Sequence, residues 1–173
     1  MPGEIERWHD FYVLVGTAGA TLVALLFVAV SLGAGFLTEA RAGATRAFFT
    51  SVVIHFSEVF FVSALALMPS HEAVVPLAIG ICAAAGLGVS AYAAVQIVRN
   101  GWTTFITDHF AYGLMPCIAY AAMLAAAVTM LRHWSWSLEL LAAAVLLLLG
   151  FNIRNAWDLM LSMVRRRVEP PQP

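Results

Sequence analysis

The sequence contains no lysine; all nine of its basic residues are arginine. Charged residues of either sign make up 11% of the 173 positions, where a soluble domain carries about 25%. So little charge cannot coat a water-facing surface, which excludes a soluble globular fold. The net charge of -1 excludes the basic face that a nucleic-acid partner requires. Cysteine is scarce: Cys82 and Cys117 both sit in apolar runs, as small core residues do, rather than a disulfide or a metal knuckle. No Gly-rich phosphate loop, HExxH, CxxC or GxSxG occurs, so no catalytic motif points to an enzyme. No long polar segment is present to form a second domain. The chain reads as one transmembrane domain, 1–173, with a short polar tail at 168–173. The opening MPGEIERWHDFYVLVG lacks a basic start and is acidic, so a retained membrane anchor is expected rather than a secretion signal.

What is present is apolar: 62% of the residues are hydrophobic. A bilayer core about 30 Å thick needs about 20 helical residues to cross it. Five stretches qualify, roughly 11–37, 47–68, 73–98, 105–131 and 138–164. Their apolar runs are continuous, without the alternation of barrel strands. The expected fold is therefore all-α, an integral membrane bundle of about five helices. The links TEARAGATR, PSHE, RNGWTT and RHWSW are short enough to make sequential helices antiparallel neighbours. The fourth stretch begins irregularly, with Asp108, His109, Gly113 and Pro116. Residues 101–112 either belong to that span or lie along the interface, and Pro116 marks a kink or a first helical turn.

Arginine counting sets the orientation. Arg41, Arg46, Arg99, Arg165, Arg166 and Arg167 fall on one side, and Arg7 and Arg132 on the other. This predicts a cytoplasmic C-terminus and an external N-terminus. Glu4, Glu6, Asp10, Glu72 and Glu139 fall on the outer side. Trp8, Trp102, Trp134 and Trp136 fall at span ends, where indole rings prefer to sit. Small residues recur every fourth position at Gly16, Ala20 and Ala24, and at Gly80, Ala84 and Gly88. Such stripes let helices approach closely, within one chain or between copies of a homo-oligomer.

Against this background the polar residues inside the spans stand out. SVVIHFSEVFFVSAL carries His55 and Glu58, and LLGFNIRNAWDLMLS carries Asn152, Arg154, Asn155 and Asp158. One charge at the bilayer centre costs about 2.5–3.5 kcal/mol on the insertion scale, so these groups should face the bundle interior. Counted in from the cytoplasmic ends at 1.5 Å per residue, Glu58 and Arg154 both lie about 16–18 Å deep, and His55 and Asp158 about 10–13 Å. Two contacts are expected on that basis, Glu58 with Arg154 and His55 with Asp158 or Asn155. Both require the second and fifth spans to be adjacent. Tyr92, Gln96, His109 and Tyr112 belong to the same leaflet as a supporting set, and Ser51 lies four residues before His55. A hydroxyl at that spacing commonly bonds its own helix backbone.

Three readings of this cluster stay open. It is a site facing the cytoplasm that handles a proton, cation or small solute. Or it is a paired ion cluster that only fixes helix register, in a structural or regulatory protein. Or it holds haem or a transition metal through His55, with Glu58 and His109 as further candidate ligands; no cofactor at all is the simpler expectation, because one histidine and one carboxylate are too few for a closed site.

WHDFYVLVGTAGATLVALLFVAVSL, residues 8–32, and NIRNAWDLML, residues 152–161, resemble the two ends of a group of small bacterial multi-pass membrane proteins of unassigned function. The resemblance covers about a fifth of the chain. It implies a bacterial inner-membrane location and no particular activity.

Overall fold

A computed structural model describes residues 2–33, 42–69, 73–100 and 114–168. All regular structure among them is helical. The helices are α1 Pro2–Gly33, α2 Ala42–Ala66, α3 Val74–Asn100, α4 Met115–Leu131 and α5 Ser137–Val168. They match the five expected stretches, with α1, α2 and α5 longer at one end than expected. Residues 101–113, including the irregular start of the fourth stretch, and the tail 169–173 lie outside the described residues. Pro116 stands at the start of α4, where its missing N–H has no intrahelical partner to lose.

Among the described residues, three helices are long and apolar enough to cross a bilayer: Trp8–Ser31, Val74–Gln96 and Ser137–Asp158. Two shorter apolar segments, Thr50–Ala66 and Met115–Leu131, accompany them. The outward faces carry Leu14, Phe27 and Ile81, each more than half exposed, as a lipid-facing surface requires. The protein is a helical membrane bundle.

Helices α2, α3, α4 and α5 form a closed ring, each packed on the next, with α5 returning to α2. The second and fifth spans are thus adjacent, as the expected contacts required. Helix α1 lies outside the ring, against α2 and more narrowly against α5. Its seam with α2 is built on glycine. A Cβ on Gly16 would stand 3.0 Å from the Ser63 Cβ, and one on Gly19 would stand 3.0 Å from the Phe56 carbonyl oxygen. The seam therefore runs through Gly16 and Gly19, while Ala20 and Ala24 face outward. On α3, Gly80 packs toward Ala127 of α4, whereas Ala84 is exposed and Gly88 has open space beside it. Neither four-residue stripe acts as a unit within the chain.

The link between α4 and α5 is tight. His133 Nα donates to the Met130 carbonyl at 3.0 Å and Trp134 Nα to the Thr129 carbonyl at 3.1 Å. This is the bond pair of a Schellman stop. It places His133 at φ 54°, a left-handed position that a side chain other than glycine occupies at a cost. Nearby, Tyr12 Oη of α1 donates to the Leu138 carbonyl at 3.1 Å, tying the start of α5 to α1.

Candidate functional site

Depth follows from α5. Exposed Trp136 and Trp157 flank its apolar stretch and are about 32 Å apart along the helix axis, close to a bilayer core. Asn152 Nδ2 donates to the Val52 carbonyl at 2.9 Å, which fixes the level of α2 against α5. Asn152 is five residues from Trp157, and Glu58 is six residues beyond Val52. Glu58 therefore lies about 16 Å in from the Trp157 end, near the middle of the bilayer.

At that level one side chain crosses the ring. Tyr120 projects from α4 and is fully buried; its hydroxyl reaches two residues of α2, the helix diagonally opposite. His55 Nδ1 is 2.8 Å from Tyr120 Oη, and Tyr120 Oη donates to Glu58 Oε2 at 3.1 Å. On its other side His55 Nε2 is 3.0 Å from Ser51 Oγ. With Glu58 ionised and His55 neutral, the proton positions follow from exclusion. The Tyr120 hydrogen is committed to the carboxylate, so Oη accepts from His55 Nδ1–H. Neutral imidazole then has its lone pair on Nε2, which accepts from the Ser51 hydroxyl. Every donor in the chain Ser51, His55, Tyr120, Glu58 points the same way, toward the carboxylate.

Local sequence explains the placement. Ser51, His55 and Glu58 are spaced four and three apart, on one face of α2. Tyr120 needs room for its ring, and α3 supplies it at Gly86. A Cβ there would strike Cε1 and Cζ of Tyr120 and stand 2.8 Å from Glu58 Oε2. His55 is 2% exposed, whereas Glu58 is only partly buried. Between this level and the Trp136 end the ring is filled by Val62, Ile79, Met123, Ala126, Leu141 and Val145, all buried in one apolar cluster. Toward the opposite end the buried residues include Ser90, Asn152 and Asn155.

Two expected contacts are corrected. Arg154 does not meet Glu58. It pairs with Asp158 on its own helix at 3.8 Å, with both side chains substantially exposed. The hydrogen bonds of His55 run instead to Ser51 and Tyr120, one at each ring nitrogen. The reason is azimuth. Asn152 and Asn155, three apart, share the inward face of α5, and Arg154, two residues from Asn152, points to the opposite side. Arg154 also sits one turn from Trp157, close enough to the interface for its long side chain to reach water. Ser51 spends its hydroxyl on His55 rather than on backbone. Tyr92 lies on the exposed face of α3, where Gln96 Nε2 donates to its hydroxyl at 2.8 Å, away from the chain. His109 and Tyr112 lie outside the described residues.

For a metal or haem, His55 would have to give up a hydrogen bond, since both ring nitrogens are engaged. Glu58 and His55 converge on the Tyr120 hydroxyl, not on a shared point between them. Among the described residues no three His, Cys, Asp or Glu side chains are grouped to hold an ion.

Tyr120 and Gly86 are the residues that sequence reasoning missed. The signal for Tyr120 was its polar tip inside the small-residue run PCIAYAAML, since a buried tyrosine hydroxyl usually finds a partner. For Gly86, within AAAGLG, nothing in the sequence separates it from its neighbours. The geometry defines a membrane bundle with a polarised hydrogen-bond chain at its middle. No protein-family model matches this sequence, and no curated protein or solved structure matches it either.

Proposed function

We propose that this protein takes up a proton on the chain Ser51, His55, Tyr120 and Glu58, within a bacterial inner membrane. The observation that carries the reading is the unbroken run of three hydrogen bonds, 3.0, 2.8 and 3.1 Å long, ending on a carboxylate. A proton arriving through Ser51 binds His55 Nε2. His55 releases its Nδ1 proton to Tyr120 Oη, and Tyr120 passes its own hydroxyl proton to Glu58 Oε2. One proton enters, each intermediate group gains one and loses one, and Glu58 ends neutral. A mid-bilayer carboxylate is costly when charged, so neutralising it shifts the energy of the bundle. The packed apolar layer beyond Tyr120 favours proton binding from one side over a continuous pore, and over passage of a solute.

The membrane assignment draws support from the resemblance at residues 8–32 and 152–161. The orientation, with the N-terminus outside and the C-terminus cytoplasmic, draws on the arginines: Arg46 lies near the start of α2, Arg99 at the end of α3 and Arg165–Arg167 at the end of α5, all at one end of an antiparallel ring. Proton uptake after a pH step, measured with an indicator dye on protein in lipid nanodiscs, tests the reading. Glu58→Gln should take up fewer protons than the unaltered protein while remaining folded. Equal uptake by both, with a loss of stability in the variant, would overturn it in favour of an ion cluster that only fixes helix register.

A further inference from the structure

In the arginine-bearing half of the ring, the buried polar atoms without a hydrogen-bond partner among the described residues include Asn152 Oδ1 and Ser90 Oγ. Asn152 is 1% exposed and anchored by its Nδ2 bond to the Val52 carbonyl. Turning the carboxamide over would aim its oxygen at that carbonyl, so Oδ1 is held on the other side. There it meets no donor among the described residues. Ser90 Oγ, on α3 and also 1% exposed, meets none either. Buried polar groups left unmatched are unfavourable, and internal water is the usual partner where several polar groups converge.

Both atoms lie on the same side of Tyr120. Val52, which holds Asn152, stands between Ser51 and His55 in the chain. Ser90 is one helical turn past Gly86, about 6 Å from the Tyr120 level toward Asn100. This is the side from which the first donor of the chain, Ser51, is reached. Ser63 offers the contrast. Its Oγ also lacks a partner among the described residues, but it sits in the glycine seam, where α1 closes on α2 so tightly that a Cβ on Gly16 would stand 3.0 Å from the Ser63 Cβ. A close-packed seam leaves no room for water.

We propose that ordered water binds at Asn152 Oδ1 and Ser90 Oγ, and that this hydrated half of the ring is the route by which a proton reaches Ser51. The ligand is water and, in transit, its protonated form. The hydration site stands on the two buried atoms; its use as a route rests on the proton reading above.

Water-edited solid-state NMR of the full chain in lipid bilayers tests this directly. The chain has five side-chain amides, Gln96, Asn100, Asn152, Asn155 and Gln172, so the Asn152 signal is readily assigned. Asn152 and Ser90 should gain water magnetisation as early as exposed Arg132. Ser63 and Val145 should gain it late. Asn152→Leu should lose the early gain at Ser90 and slow proton uptake without changing its amount. Gain at Asn152 as slow as at Val145 would overturn the hydration site, even beside intact Glu58-dependent uptake. Early gain at Asn152 with no Glu58-dependent uptake would uphold the hydration site and overturn the route together with the proton reading.

Discussion

Replacing Tyr120 by Phe removes a single atom from the middle of the ring. The phenyl ring keeps its place beside Gly86, so no cavity of consequence opens. What is lost is an oxygen that serves two partners, accepting from His55 Nδ1 at 2.8 Å and donating to Glu58 Oε2 at 3.1 Å. Each buried polar group left unmatched costs about 1–3 kcal/mol, so the two together should cost about 2–6 kcal/mol. Against a total stability of about 5–15 kcal/mol that is a large fraction. The assay is equilibrium unfolding by SDS in mixed micelles, followed by tryptophan fluorescence. Adding Glu58→Leu to Tyr120→Phe should cost less than the sum of the two single changes, by about 0.5–3 kcal/mol, because the carboxylate is no longer there to be stranded. A cost for Tyr120→Phe below about 0.5 kcal/mol, the range of ordinary surface substitutions, would refute the chain as drawn.

Gly86→Ala should force the Tyr120 ring and Glu58 apart, destabilise the bundle by about 1–3 kcal/mol and reduce proton uptake. Gly88→Ala, two residues along but facing open space, should leave uptake intact and be neutral or stabilising by up to about 1 kcal/mol; the same SDS titration compares them. His133→Gly should stabilise the α4–α5 stop by about 1 kcal/mol, read as a higher SDS midpoint. Arg154→Gln should change stability by less than about 0.5 kcal/mol, since its pair with Asp158 is exposed and at 3.8 Å; a larger loss would mean that Arg154 serves the ring interior after all.

The architecture was legible because it rests on composition and run length. Helices of the observed extent follow from apolar stretches long enough to cross a bilayer, and their short links make neighbours antiparallel. The polar site was legible in part. His55 and Glu58 are conspicuous because ionisable groups are rare in such runs. Asn152 stood out as a polar residue inside the fifth span, but its bond to the Val52 carbonyl of α2 was not foreseen. Their partners were not legible, because depth says nothing of azimuth. Arg154 and Glu58 sit at similar counted depths, yet Arg154 turns outward while Asn152 and Asn155 turn in. Tyr120 reaches α2 across the ring diagonal, a contact that no local spacing encodes. Gly86 matters only because of what lies opposite it. Likewise Gly19 rather than Ala20 or Ala24 carries the α1 seam, which depends on how two helix surfaces meet.

The central claim is that Glu58 receives a proton through His55 and Tyr120. Infrared difference spectra of the protein in lipid, recorded between high and low pH in H2O and in D2O, test it most directly. A carboxylic-acid C=O band should grow as pH falls, shift in D2O, disappear in Glu58→Gln and move in frequency in Tyr120→Phe, which removes the hydrogen bond to that carboxyl. A spectrum with no such band, or a band that survives unchanged in Glu58→Gln, would contradict the claim.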